Sequence, residues 1–284
     1  MSDSVEVVVD NKASFGEGPI WDERAGLVRW VDFSAHQVHN TDPLTGSDFT
    51  IGVGQPVGSI APRRSGGLIV ALEHGLASLD LQLGRVSMIC DPENNRSGVH
   101  FNDGKCDAAG RFWVGSVSAI DNAGQISVDV GGANLYRLDP DLSVHHMLSQ
   151  VSVSNGLAWS SDHRTMYYID SLTRAVAAFD FDLATGTISN RRDAVRIPEA
   201  DGMPDGMTID AEGMLWVALF SGGCVARYNP VSGQLLRKLQ VPGEVVTSCC
   251  FGGANLDQLF ITTVHSLYKA MPGVRGTKTE MFAG

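Results

Sequence analysis

Short runs of apolar residues recur along the whole chain, and turn sequences separate one run from the next. The runs are rich in β-branched and aromatic residues, and no stretch keeps an apolar period of about 3.6 residues. Turn signals such as DPLTG, DLATG and NPVSG lie between them. The pattern therefore predicts an all-β chain, with strands in the segments LVRWVDF, LIVALE, RFWVGSV, TMYYID, AVAAFDFD, LWVALF and LFITTV.

An internal repeat organises these strands. Residues 102–114 (NDGKCDAAGRFWV) and 205–217 (DGMTIDAEGMLWV) share Asp-Ala-x-Gly-x-x-Trp-Val in register. Residues 17–32 can likewise be laid over residues 155–170, and both segments end in an aspartate. Two further units are less distinct. Together the units open at Glu17, Ser59, Asn102, Asn155, Asp205 and near Thr247.

The spacing of these opening residues predicts an architecture. They stand 42, 43, 53, 50 and 42 positions apart, which is typical of propeller blades. We therefore predict six four-stranded blades around a central channel, in one domain that covers residues 1–284. A TIM barrel is the alternative at this length, but no helical pattern lies between the strands. The segment Val5–Val9 has no blade of its own, so we expect it to complete the last blade and close the ring.

Composition and charge exclude some classes of function. The formal net charge is −11 and no basic stripe is present, so nucleic acid is not an expected partner. The N-terminus lacks a basic start followed by an apolar core, and no apolar run is long enough to span a bilayer. The five cysteines are odd in number and lack C-x-x-C spacing, which favours buried thiols in a reducing compartment. We therefore expect a cytoplasmic protein without a membrane partner.

Four polar side chains that open repeat units would meet if the units pack around an axis. Glu17 and Asp205 supply two carboxylates, and Asn102 and Asn155 supply two amides. Such an oxygen-rich group suits a hard divalent cation, and the lack of thiolate or histidine ligands favours calcium, magnesium or manganese over zinc. The alternative is structural, because Asn-Gly and Asp-Gly are common turn sequences and a turn glutamate such as Glu17 can bond backbone amides.

Five segments resemble the signatures of one known family. FGEGPIWD, FNDGKCDAAGRFWVGS, SNGLAWSSD, PDGMTIDAEGMLWV and TSCCFGG occur in this order, over about residues 15–263. They look like signatures of the gluconolactonase, regucalcin (senescence marker protein) and luciferin-regenerating-enzyme family. The resemblance implies a six-bladed propeller that holds one divalent cation in its channel and hydrolyses sugar lactones. Distant relatives cleave phosphorus–fluorine bonds or other strained esters.

The resemblance also assigns roles to individual residues. The family's metal ligands fall on Glu17, Asn155 and Asp205, and its channel asparagine, which contacts substrate or metal, falls on Asn102. Its catalytic acid/base aspartate falls again on Asp205. The cation would polarise a lactone carbonyl, while Asp205 would relay the proton of the attacking water to the ring oxygen or attack directly as a nucleophile. Calcium is the first choice of cation, with manganese, magnesium, iron(II) and zinc as alternatives.

The chain departs from the family at the expected substrate pocket. Relatives commonly carry an arginine two residues before the channel asparagine, where this chain has His100, and animal members place a glutamate near Ile120. These departures suggest a small lactone with fewer hydroxyl groups than gluconolactone, or with another arrangement of them. Substrate contacts are expected from His100, Asn102, Asp103 and Ile120. The structural alternatives are a channel-wall role for His100 and backbone bonding for Asp103.

Two other functions stay open on the sequence. One is a non-catalytic calcium-binding propeller, and the other is a phosphotriesterase-like hydrolase that polarises P=O with the same oxygen ligands. Two segments are expected to cap the channel, residues 91–100 and residues 116–134. The second is the longest segment predicted to be irregular, so it is a candidate lid or dimer contact. The oligomeric state does not follow from the sequence.

Overall fold

The strands of the chain pair into six antiparallel sheets, and each sheet forms one blade around a common axis. The computed structural model describes residues 4–122, 125–242 and 245–284. The strands are, in chain order, β1 (Val5–Val9); β2 (Gly16–Asp22), β3 (Leu27–Asp32), β4 (Gln37–Thr41) and β5 (Asp48–Gly52) in blade 1; β6 (Val57–Pro62), β7 (Leu68–Leu72), β8 (Gly75–Asp80) and β9 (Arg85–Cys90) in blade 2; β10 (Val99–Cys106), β11 (Phe112–Asn122), β12 (Gln125–Val128), β13 (Ala133–Leu138) and β14 (Val144–Val151) in blade 3; β15 (Ser154–Trp159), β16 (Thr165–Asp170), β17 (Ala175–Asp182) and β18 (Thr187–Arg196) in blade 4; β19 (Met203–Ile209), β20 (Leu215–Phe220), β21 (Cys224–Tyr228) and β22 (Leu235–Gln240) in blade 5; and β23 (Val246–Gly252), β24 (Gln258–Thr263) and β25 (Leu267–Ala270) in blade 6. The predicted all-β, six-bladed β-propeller is therefore confirmed.

The first strand of each blade lines the central channel. The strands β2, β6, β10, β15, β19 and β23 contact one another in a closed ring, while the later strands of each blade follow outwards in sequence order. Blade 6 has only three consecutive strands, and its outermost strand is β1 from the other end of the chain. β1 pairs with β25 through Val5 opposite Ala270 and Glu6 opposite Lys269. This pairing covers an edge that would otherwise be open.

Packing between blades explains why strands in the middle of a blade, such as β7, are apolar at consecutive positions. Both faces of each blade contact a neighbouring blade, so β7 (LIVAL) is buried at all five positions. Between blades 3 and 4, Trp113 contacts Trp159 and Phe181 edge to face, with ring centroids 6.1 and 6.0 Å apart. The outer strands are half exposed, as in β9. A continuous apolar run therefore marks a strand in the middle of a blade.

The repeated Asp-Ala-x-Gly-x-x-Trp-Val sequence closes the first hairpin of blades 3 and 5. The Asp107 carboxylate accepts the backbone amides of Ala109 and Arg111 at 3.0 and 3.1 Å, and the indole N–H of Trp113 at 2.8 Å. Asp210 makes the equivalent bonds in blade 5. The aspartate thus satisfies the amides of a tight turn and fixes a buried tryptophan, which explains why the sequence repeats these residue types together.

The prediction for residues 116–134 was wrong. Residues 116–122 continue β11, whose last part pairs with β12, so the segment is largely an extended hairpin rather than an irregular loop. Residues 126–130 alternate apolar and polar side chains, with Ile126, Val128 and Val130 apolar, and this is a strand signal that the prediction missed. Residues 123–124 lie outside the described residues. Residues 91–98 precede β10, which already includes His100. The roles of these segments as a lid or a dimer contact stay predictions.

Little helical structure accompanies the strands. In the described ranges it consists of two 3₁₀ turns, Ser171–Thr173 and Glu199–Asp201. Accordingly, no helix in this part of the chain is long and apolar enough to cross a membrane. The five cysteines are all free, and four of them are buried.

Candidate functional site

A break in strand pairing recurs at nearly the same point of every inner strand. In β15 the pairing skips Asn155 and Gly156 and resumes at Leu157, and in β19 it skips Asp205 and Gly206. Equivalent irregularities occur in β6, β10 and β23. In β2 the break comes one residue later, because Glu17 still pairs with Val31 and the pairing skips Gly18 and Pro19. A bulge of this kind changes the direction in which a side chain points, so that the side chain no longer follows the regular alternation of the strand. The recurring bulge therefore gathers one position from each blade at one end of the channel.

The structure corrects the repeat alignment by one residue in blade 2. The residue skipped in β6 is Gly58, so Gly58 rather than Ser59 is equivalent to Asn102. A Cβ atom at Gly58 would lie 2.7 Å from the Cα of Asn102, so the close approach of the two backbones requires glycine. In blade 6 the skipped residue is Thr247, as the alignment expected, and its hydroxyl donates to the carbonyl of Gly16 at 2.7 Å.

Asn102 and Asn155 bond to each other between neighbouring blades. Asn102 Nδ2 donates to the carbonyl of Ser154 at 2.7 Å and to Asn155 Oδ1 at 3.1 Å. Asn155 Nδ2 donates to Ser171 Oγ at 2.9 Å. These bonds fix the orientation of both amides. Because an amide oxygen has two lone pairs, each oxygen keeps the capacity to bind a further partner.

Three carboxylates lie close enough together to raise one another's pKa. Burial raises the pKa of Glu17 to about 8, and the Asp103 carboxylate adds to this increase. Burial also raises the pKa of Asp205 well above its usual value, with Glu17 and Asp103 as further causes. The pKa of Asp103 is raised by burial, while the Lys105 ammonium and the Gly104 amide act in the opposite direction. The protein alone therefore does not stabilise all three negative charges.

Asp205 carries an oxygen atom that lacks a partner. The residue is 5% exposed, and its Oδ1 is buried without a hydrogen bond to any residue that the structure describes. A buried oxygen without a hydrogen-bond partner destabilises the folded protein. A hard cation would satisfy it, and the Glu17 carboxylate and the oxygens of Asn102 and Asn155 complete a suitable donor set.

Carboxylates alone do not form this donor set. Within residues 4–122, 125–242 and 245–284, no three His, Cys, Asp or Glu side chains are grouped as metal ligands. A cation at the cluster would therefore need the amide oxygens of Asn102 and Asn155 beside Glu17 and Asp205. The residues present fit such an ion, and a metal site in the channel stays a prediction.

His100 forms an aromatic pair with Phe33, a residue that the sequence analysis missed. The ring centroids are 5.0 Å apart and the ring planes are tilted by 55°. Burial lowers the pKa of His100, and the Glu73 carboxylate acts in the opposite direction. Lowering the pKa favours the neutral imidazole. Because Phe33 belongs to a different blade, no local sequence signal links it to His100.

Asp103 and Ile120 occupy different surroundings. Asp103 lies in the bulge beside Asn102, and its Oδ1 accepts the amide of Gly104 at 2.8 Å, which is the backbone bonding expected for a structural role. Ile120 lies on the extended hairpin, where it pairs with Ser127 and is 41% exposed. The pairing of β10 with β11 reaches only to Ser118, so Ile120 lies beyond the end of the inner strand. Substrate contact by either residue stays a prediction.

A six-bladed propeller with carboxylates and amides gathered at one end of its channel defines the structural class of this protein. Comparison with known proteins gives the family. Residues 15–265 match the family described as "SMP-30/Gluconolactonase/LRE-like region", and the chain belongs to this family. It is 41% identical to regucalcin from Danio rerio over 261 residues, which cover 92% of this chain and 86% of that protein.

Solved structures agree with this assignment. The chain is similar to a luciferin-regenerating enzyme, with a TM-score of 0.89 and 31% identity over 99% of both chains. It is also similar to a structure from Agrobacterium tumefaciens described as a calcium-binding protein, regucalcin, with a TM-score of 0.90 over 99% of this chain and 98% of that one. At 21% identity, the second similarity supports the fold alone. The family predicted from the sequence is confirmed.

Proposed function

We propose that this protein is a metal-dependent hydrolase that opens the ring of a small lactone. The observation that carries the proposal is the buried, unpartnered Oδ1 of Asp205, which lies in a cluster with Glu17 and two oriented amides. A purely structural channel would be expected to supply a donor to this oxygen. The family description names gluconolactonase, which supports a lactone as the class of substrate.

Glu17, Asn155 and Asp205 would hold one divalent cation, with Asn102 as a further oxygen donor or as a substrate contact. Such a cation supplies a Lewis acid for the lactone carbonyl and lowers the pKa of an attacking water. Calcium is our first choice, because all the donors are oxygen atoms. Manganese, magnesium, iron(II) and zinc are the alternatives.

Asp205 would act as general base and then as general acid. Its carboxylate would accept a proton from the attacking water and return it to the ring oxygen as the carbon–oxygen bond breaks. Direct attack by the Asp205 carboxylate on the carbonyl carbon is the alternative. The bonds between Asn102 and Asn155 would keep the amide oxygens in place while the proton moves.

Phe33 and His100 would form one wall of the substrate pocket. A neutral imidazole offers one donor and one acceptor, whereas an arginine offers five donors, and a phenyl ring offers none. We therefore propose a lactone with fewer hydroxyl groups than gluconolactone, or with a different arrangement of them. Asp103 and Ile120 are kept as candidate contacts at the edges of this pocket.

The test is acid release from a panel of pentono-, hexono- and aliphatic lactones, followed with a pH indicator. The protein would be stripped of metal and resupplied with calcium, manganese, magnesium, iron(II) or zinc. Asp205→Asn should lower metal-dependent turnover at least about a hundredfold, whereas Asp141→Asn, at an exposed turn, should leave it unchanged. Absence of turnover with every lactone and ion would overturn the proposal.

The second candidate is a calcium-binding propeller without catalytic activity. The similarity to regucalcin, at 41% identity over most of the chain, favours it. Cation binding in a calorimetric titration, together with no turnover of any lactone, would be the result expected for this function. Faster hydrolysis of paraoxon-type esters than of lactones at the same metal concentration would instead indicate a phosphotriesterase-like hydrolase.

We also propose the cytoplasm as the location of this protein. Free cysteines, four of them buried, fit a reducing compartment. A separate expectation concerns partners, because the net charge of −11 makes nucleic acid an unsuitable partner. Fractionation of the source cells, with the protein detected in the membrane or the secreted fraction, would contradict this location.

A further inference from the structure

A cavity, named the lower cavity here, lies beyond the bulges in the direction in which the inner strands run. Its volume is about 130 Å³. The inner strands all run away from the bulges in the same direction, and residues two or three positions after each bulge residue line the cavity. Over that separation a strand advances by about 7–10 Å, so the lower cavity is offset from the cluster along the channel. The inner-strand residues in its wall include Ile20, Ile60, Lys105, Ala158, Thr208 and Cys250.

The C-terminal segment crosses the mouth of the lower cavity. On one side the amide of Gly276 donates to the carbonyl of Leu256 at 2.7 Å, and on the other side the amide of Phe282 donates to the carbonyl of Pro62 at 2.8 Å. Between these two anchors, residues 277–280 line the cavity. The C-terminal segment therefore covers part of the lower cavity.

Lys105 places a cation in the wall of the lower cavity. Its Nζ donates to the carbonyl of Met207 at 2.7 Å, and this is the single hydrogen bond that the ammonium makes with the described residues. Because an ammonium group has three donors, two remain for a ligand or for water. The neighbouring walls are apolar, with Ile20, Ile60 and Ile209 among the lining residues. The Asp103 carboxylate of the cluster is an acidic neighbour of this ammonium, and the two spare donors leave room for a further anionic partner.

Trp159 supplies a hydrogen-bond donor that lacks a partner. Its side chain lines the lower cavity, and its indole N–H is buried without an acceptor in the part of the chain that the structure describes. The charged residues of the lining also favour an anionic partner. Lys105 is the cation that matters here, because Lys278 is 72% exposed and lies 3.9 Å from the Glu23 carboxylate. Glu280 is the one acidic residue among the described lining residues. The lower cavity therefore favours a small acceptor-rich anion over a cation.

We propose that the lower cavity binds a short-chain carboxylate, with its carboxylate on Lys105 and its alkyl chain against Ile20, Ile60 and Ile209. Charge-assisted hydrogen bonds to an ammonium are among the strong ones in proteins, and burial of the alkyl chain adds hydrophobic stabilisation. A volume of about 130 Å³ suits a short alkyl chain, and Ile20, Ile60 and Ile209 give that chain apolar contacts. This inference does not rest on the proposed lactonase activity.

The test is an NMR titration of protein labelled at the isoleucine δ1-methyl groups, with butyrate as the probe. Saturable shifts are expected for the methyl groups of Ile20, Ile60 and Ile209, whereas Ile51 in β5 and Ile89 in β9 should not change. Butyramide has nearly the same shape without the charge, and butylammonium has the opposite charge. Equal shifts with butyramide, or shifts that do not saturate with butyrate, would overturn the proposal.

Variants and metal removal separate this site from the cluster. Lys105→Met should weaken butyrate binding about tenfold or more, while Lys269→Met, on β25, should leave it unchanged. If Lys105→Met does not fold, the comparison of butyrate with butyramide in the wild-type protein decides the question. The titration is repeated after treatment with a chelator, since a carboxylate can also bind a cation at the cluster. Shifts that disappear with the metal would refute binding in the lower cavity.

Discussion

Replacing Asp107 with alanine is expected to destabilise the fold strongly, because one buried carboxylate serves four hydrogen bonds. Asp107 is 1% exposed. Besides the turn amides of Ala109 and Arg111, it accepts Arg111 Nε at 2.7 Å and Trp113 Nε1 at 2.8 Å. Arg111 is itself only 5% exposed, so the substitution would leave a buried guanidinium without its counter-ion. Removing one partner of a buried ion pair costs about 3–5 kcal/mol, and we expect a loss in this range.

The assay is denaturant unfolding followed by tryptophan fluorescence, supported by thermal unfolding. For a chain of 284 residues, 1 kcal/mol corresponds to about 2 °C, so the Tm should fall by about 6–10 °C. The control is Asp162→Ala in the corresponding turn of blade 4, where the exposed carboxylate bonds Ser160 and the Arg164 amide. Because no buried arginine depends on it, little change is expected. A loss below about 1 kcal/mol for Asp107→Ala would refute this reasoning.

Two further predictions concern the carboxylate cluster. Gly58→Ala should weaken cation binding in a calorimetric titration, because the added Cβ would lie 2.7 Å from Asn102 Cα. The control is Gly52→Ala, which should leave cation binding unchanged because no atom lies within 4 Å of its added Cβ. Equal affinities for the two variants would contradict the role of the close approach. Glu17 has its pKa raised from 4.5 to about 8, so between these values the folded metal-free protein holds a proton that the unfolded chain has released. Its contribution to stability is therefore full below about pH 4.5 and is lost as the pH rises towards 8. Glu17→Gln should flatten this part of the metal-free stability profile, and identical slopes for both proteins would argue against the raised pKa.

Strands that are buried on both faces were readable from the sequence. The segment TMYYID was predicted as a strand and forms β16, which is buried at five of its six positions. Continuous apolar runs of this length leave few alternatives when turn signals flank them. Residues 116–134 were misread for the opposite reason. Their hairpin carries only a short apolar alternation, at Ile126, Val128 and Val130, and the polar and glycine residues around it obscured this signal.

The repeat also located most of the candidate site. Asn102 and Asn155 were placed at equivalent positions of two units, and the structure joins them by a hydrogen bond. Gly58 was missed by one residue, because the bulge that decides the equivalence depends on pairing with β7. Phe33 and Lys105 were missed altogether. Their significance comes from neighbours in other blades, to which no local pattern connects them.

The sequence by itself determined the strands, the turns and the number of blades. The strands follow from apolar runs, and the turns follow from residues such as Asp107 and its repeat partner Asp210. The number of blades follows from the spacing of the repeat units along the chain. Tertiary structure alone decided that Asp205 Oδ1 lacks a partner and that Lys105 reaches a cavity. Burial and hydrogen bonding depend on atoms that other blades supply, so they exist only once the ring has closed.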